Sequence, residues 1–155
     1  MTSTPVELAD NVRERLASHD WGTLAPRVIG ALEYSQELVD GLRRLPCLAV
    51  LPLGDDIDPD LAPEGTATLQ HVRTTIGVVI VVASRNDRGA SKQAAGDSAL
   101  RRLQTALRAR LVGWPPARRW DPLAVRRSRL LDLSGARASW QEDYTTFGWA
   151  RQARQ

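Results

Sequence analysis

Between residues 71 and 83 the apolar pattern changes character partway along, and no other stretch so narrows the folds open to this chain. The even positions Val72, Ile76, Val78, Ile80 and Val82 are apolar. The odd positions begin polar, with His71, Arg73 and Thr75, and turn apolar at Val79, Val81 and Ala83. Side chains alternate between faces along a strand. One face of this strand is therefore buried along its length, and the other only in its second half, as befits a strand entering the centre of a sheet. The β-branched residues crowded between Thr74 and Val82 suit a pleated surface.

The rest of the chain supplies what such a sheet needs. Leu8, Val12 and Leu16 recur every four residues after Thr4-Pro5, an N-cap followed by proline at the first helical position, so an amphipathic helix runs from Pro5 to about Ser18. Leu32, Leu38, Val39, Leu42 and Leu45 support a second helix from about Ala31 to Arg44, ended by Pro46. Leu48 to Leu53 reads as a short strand, and prolines at both ends favour a sheet edge. Gly54 to Gly65 holds four aspartates, a glutamate, two prolines and two glycines, the composition of a loop.

Leu100, Leu103, Leu107 and Leu111 form the stripe of a long helix from about Ser91 to Val112, stopped by Gly113 and Pro115-Pro116. Leu123 to Leu133 and Arg137 to Trp149 flank the turn signal Ser134-Gly135-Ala136 and predict an antiparallel hairpin. The expected class is α+β, a mainly antiparallel sheet of four or more strands packed against the long helix, with a helical N-terminal segment. At 155 residues this is one expected domain, 1–155: helical over 1–44, sheet and long helix over 45–150, and a short tail over 151–155.

Composition excludes several functions. One cysteine makes no internal disulfide, and Cys47 lies in the apolar run Leu45 to Leu53, where a packed thiol is expected rather than a nucleophile. Met1 to Asp10 carries Glu7 and Asp10 and no apolar core, unlike a secretory signal. The apolar run Ile76 to Ala83 is far shorter than the ~20 residues of a membrane helix, so no membrane partner is expected. His19 and His71 with a lone cysteine do not compose a zinc site. Asp56, Asp58 and Asp60 have the spacing that opens a calcium loop, but Leu61 stands where glycine is required and Ala67 where a glutamate is required. Neither a P-loop nor Gly-x-Ser-x-Gly occurs, and Arg88-Gly89-Ala90-Ser91-Lys92 is explained by a helix entry. No metal, cofactor or catalytic residue is assigned, and the expectation is a protein that is not an enzyme. An enzymatic alternative requires a pocket joining His71 to distant carboxylates.

Charge is the remaining clue. Twenty of 21 basic residues are arginine, with Lys92 the sole lysine, as a coding bias would produce. Residues 1–64 carry a net charge of −7 and residues 65–155 a net charge of +10. Nine arginines fall between Arg101 and Arg129 against the single acid Asp121, with Trp114 and Trp120 interleaved. Guanidinium groups and tryptophan suit a nucleic-acid surface, yet no nucleic-acid-binding module is recognisable. The segregation also allows head-to-tail contact between copies, acidic side against basic side, which closes into a ring when the rotation permits. The residues expected at such an interface are Arg101, Arg102, Arg108, Arg110, Arg118 and Arg119 with Asp55, Asp56, Asp58 and Asp60.

Several phrases, in order, carry a resemblance. They are Arg43-Arg44-Leu45-Pro46, Gln70 ahead of Gly77-Val78-Val79-Ile80-Val81-Val82, and Leu111-Val112-Gly113-Trp114-Pro115-Pro116. Leu130-Leu131-Asp132-Leu133-Ser134-Gly135-Ala136 and Trp140-Gln141-Glu142-Asp143-Tyr144-Thr145-Thr146 complete the set. Over about residues 40 to 150 the chain resembles the small tail terminator proteins of long-tailed bacteriophages, including the Mu-like kind. The resemblance implies a structural virion protein, assembled in the bacterial host cytoplasm, that caps the tail tube as a ring, usually a hexamer. It ends tube polymerisation and offers the head-joining surface. The implied partners are further copies of itself, the tail tube protein and a head-tail connector or completion protein, with DNA passing through the lumen without specific binding. The alternatives are an Arg-rich nucleic-acid-binding module and another head-tail joining protein of a phage or phage-derived particle.

Overall fold

A computed structural model describes residues 3–41, 44–57, 69–83, 90–134 and 137–151. Five strands form one sheet in the order β1-β2-β3-β5-β4: β1 Arg27–Gly30, β2 Cys47–Ile57, β3 Leu69–Ala83, β4 Ala124–Ser134 and β5 Arg137–Arg151. β1 runs parallel to β2, and every other pairing is antiparallel. Three α-helices accompany the sheet, α1 Pro5–Ala17, α2 Ala31–Asp40 and α3 Ala90–Leu111. The class is α+β with a mostly antiparallel sheet.

β3 lies at the centre, as its alternation requires. Its even residues Val72, Ile76, Val78, Ile80 and Val82 join Leu8, Val12 and Leu16 of α1 and Leu103, Leu107 and Leu111 of α3 in the main core. Removing a leucine side chain of this kind from water contributes about 1.5–3 kcal/mol, so the two helical stripes fix which sheet face α1 and α3 cover. The opposite face holds a smaller apolar cluster, Ile29, Cys47, Ala49, Val79 and Val81, with Tyr34 of α2 packed against it. Cys47 is fully buried, and burial raises its thiol pKa.

α1 starts on a reciprocal capping box. The Glu7 backbone N–H donates to Thr4 Oγ1 and the Thr4 N–H donates to the Glu7 carboxylate, each at 3.2 Å. This satisfies two donors that a helix start otherwise leaves unpaired. α3 closes at Gly113, whose φ of +83° favours glycine.

Three expectations change. First, the segment before residue 44 is not purely helical, because Arg27–Gly30 adds a strand that four residues are too few to announce. Second, β2 is no simple edge strand: β1 pairs with it over Cys47 to Val50, and only from Leu51 onward is its outer side open. It also continues through Gly54, Asp55 and Asp56, expected in a loop, because Leu53 forms a bulge and Gly54, at φ +134°, restores the pairing with β3. Third, α2 is a helix ending at Asp40, but its apolar residues do not pack as a core stripe. Leu32 is 88% and Val39 82% exposed, while Glu37 is buried and paired with Arg27 of β1. Hydrogen bonding to Glu37 holds the Arg27 guanidinium above its ordinary pKa.

Candidate functional site

The arginines expected at an interface fall into two environments. Arg101 and Arg102 on α3 are exposed, as are Arg118 and Arg119 in the turn after it. Arg108 instead faces the sheet. Its Nε donates to both carboxylate oxygens of Glu142 on β5, at 3.1 and 2.9 Å. Glu142 is fully buried and also accepts from Gln104 Nε2 and the Tyr144 hydroxyl. Hydrogen bonding to Glu142 raises the Arg108 pKa. Burial, with the neighbouring Glu142 charge, raises that of Tyr144. Arg110 is half-buried, and its backbone carbonyl accepts from Arg15 Nε at 2.9 Å. Arg15 stacks over the Trp114 ring at 4.5 Å, its pKa lowered by burial and by the Arg110 charge.

The expected acidic residues lie elsewhere. Asp55 and Asp56 stand on the outer half of β2 and are engaged with β3: Thr74 Oγ1 donates to Asp55, and Arg73 pairs with Asp56 at 2.7 Å. Hydrogen bonding to Arg73 lowers the Asp56 pKa. Asp58 and Asp60, together with residues 84–89, lie outside the described residues. β2 and β4 are separated by β3 and β5, so the described aspartates and the β4 arginines Arg126, Arg127 and Arg129 stand toward opposite edges of the sheet, although the Arg126 charge still reaches Asp56.

Of the interleaved tryptophans, Trp120 is buried and Trp114 packs against the main core, as does Trp140 of β5. The indole N–H of Trp140 donates to Ser128 Oγ at 2.7 Å. His71 meets aromatic rings, stacked on Phe147 at 5.3 Å and tilted against Trp149 at 4.9 Å. Among the described residues no group of three or more His, Cys, Asp or Glu could hold a metal ion, and no helix is long and apolar enough to cross a membrane.

The sequence reading missed two surfaces. On one sheet edge, Val6 and Ala9 of α1, Gly30 to Leu32 at the start of α2, and Val50 and Pro52 of β2 line an apolar groove of about 450 Å³, with Asp10, Arg13 and Glu33 at its margin. On the other edge, β4 leaves Leu130, Leu131 and Leu133 exposed. Leucines on a helix pattern and leucines in a hairpin both look like core residues in a sequence, so neither surface was visible there.

No curated protein matches the chain. The family model for the phage tail terminator protein matches residues 9–151, which takes in all five described strands and α1 except its first turn. That match spans far more than the segment carrying the resemblance, and it places the chain in the phage tail terminator protein family, a structural component of the phage tail.

Proposed function

We propose that the protein caps the finished end of the tail tube as a homo-oligomeric ring, ends tube polymerisation, and presents the surface to which the head is joined. The observation that carries this reading is the family match across residues 9–151. The surfaces support it: two unlike sheet edges each present exposed apolar side chains, which suits contact between copies. A hexamer is the stoichiometry proposed, with the tube protein on one face of the ring, a connector or completion protein on the other, and DNA crossing the lumen. The exposed arginines Arg101, Arg102, Arg118 and Arg119 supply charge to a partner surface.

A nucleic-acid-binding role has less support, because the tryptophans Trp114 and Trp120 that would stack on bases are packed against or into the core. Such a module predicts DNA affinity that falls steeply with salt and is lost on charge reversal at the four exposed arginines.

Electron microscopy of the purified protein mixed with tail tubes, alongside size exclusion with light scattering, tests the ring. Rings on tube ends are expected, even where free copies are monomeric, because templating raises the effective affinity. A strict monomer that never decorates tube ends would overturn it.

A further inference from the structure

We infer that Leu130 and Leu133 of β4 seat in the α1–α2 groove of a second copy of this chain, forming a head-to-tail contact. The inference rests on the ring reading and names the surfaces that build it.

The two surfaces match in chemistry and are kept apart within one copy. β4 is the edge strand at one end of the sheet order, and the groove lies beside β1 and β2 at the other, about 19 Å away across four strand spacings. No copy can fill its own groove with its own leucines. The exposed side chains are large: Leu130 is 50%, Leu131 41% and Leu133 66% exposed on β4, and Val6 58% and Leu32 88% exposed at the groove. Exposed apolar groups gathered in this way mark a contact surface rather than ordinary solvated residues. The outer edge of β4 is also uncovered by any other described strand, with bulges at Arg126 and Leu131 interrupting its pairing with β5.

Size and orientation agree as well. The groove volume of about 450 Å³ is some three times the ~150 Å³ that accommodates a benzene-sized group, which leaves room for two leucine side chains. Leu130 stands opposite Trp140 and Leu133 opposite Ala138, and both partners belong to the main core, so these leucines point to the helix-bearing side of the sheet. Val50 in the groove stands opposite Val78, on that same side. Placing copies side by side in one orientation therefore brings leucines to groove without inverting either.

Charge selects the same pairing. α2 presents Glu33 and Asp40 and no basic residue, its Glu37 being already paired with Arg27, whereas β4 carries Arg126, Arg127 and Arg129 against Asp132. Opposite potentials at the rims favour α2 against β4 and disfavour either surface against itself.

Thiol cross-linking on tail tubes tests the pairing. Leu32→Cys and Leu133→Cys replace exposed side chains, while the native Cys47 is buried and out of reach of a short bismaleimide. The double variant, bound to tubes, should give a ladder of cross-linked oligomers. Mixing the two single variants should give only dimers, and each alone should stay uncross-linked. Leu133→Asp should weaken assembly by ~tenfold or more while leaving the circular dichroism and urea midpoint of the free chain unchanged. If tube-bound rings form but the double variant gives no ladder, or if Leu133→Cys alone gives dimers, the pairing is wrong and the ring reading stands. If wild-type protein forms no ring on tubes, both fall together.

Discussion

The indole of Trp120 occupies the place where Gly148 would carry a side chain: a Cβ on Gly148 would stand 2.6 Å from ring atoms Cδ2 and Cε3. Gly148 lies on β5 opposite Val72, and Trp120 closes that end of the main core. The neighbouring backbone is pinned too, because the Asp121 N–H donates to the Phe147 carbonyl and Thr146 Oγ1 donates to that of Asp121. Any side chain at 148 must therefore displace an anchored ring.

Gly148→Ala should destabilise the fold by about 1–3 kcal/mol, the usual cost of overpacking a core. Urea unfolding followed by far-UV circular dichroism reads the loss, and tryptophan emission should shift as Trp120 moves. An unchanged midpoint would show that the ring is free to retreat.

Arg108→Ala should cost about 3 kcal/mol. It leaves the Glu142 carboxylate buried with Gln104, Tyr144 and, at 3.5 Å, Ser128 as donors, none of them charged, and removing one partner of a buried pair costs ~3–5 kcal/mol. The lower figure applies because the Arg108 side chain is 42% exposed and solvent screens part of the interaction. Adding Glu142→Gln should recover part of the loss, measured as a double-mutant cycle. Strictly additive costs would show that the two residues are not coupled.

Stability should fall on the alkaline side. The ordinary values of Tyr144 and Cys47 are 10.0 and 9.0, and burial raises both in the folded chain. The unfolded chain thus releases these protons first. Their contribution is complete below about pH 9 and is lost as pH rises through the folded values, by up to ~1.4 kcal/mol per pH unit for each group. Urea midpoints from about pH 8 to 11 under reducing conditions should decline, and Tyr144→Phe should flatten the upper part of the curve. A wild-type profile level to pH 11 would contradict this.

Thr4→Ala should cost about 1 kcal/mol by removing the acceptor for the Glu7 N–H at the start of α1. Thermal unfolding checks it, and Thr4→Ser should retain nearly all the stability.

What a sequence shows of such a fold depends on the range of the interaction that makes it. β3, α1 and α3 repeat their pattern over several turns or pleats, so His71 to Ala83 and Leu100 to Leu111 declare themselves. β1 has four residues and exists because β2 pairs with it in parallel, a relationship that no local pattern encodes. Asp55 and Asp56 suggest a loop by composition, but Thr74 and Arg73 on the adjoining strand hold them in register. Glu142 has the polarity of a surface residue and is buried because donors from α3 and β5 surround it. The exposed arginines were legible as charge, whereas the apolar groove and the bare β4 leucines were not, since exposure is a property of what fails to cover a residue.

The two ends of this sheet are chemically different: a short parallel strand beside a helix-lined groove at one, a long bare antiparallel strand at the other. A contact joining such unlike ends has no two-fold axis, so each copy added through it points the same way around. An assembly of that kind is vectorial, with an upper and a lower rim made of different residues. A junction between two dissimilar bodies needs that inequality, and if copies join through this contact it originates in the four residues that make β1 unlike β4.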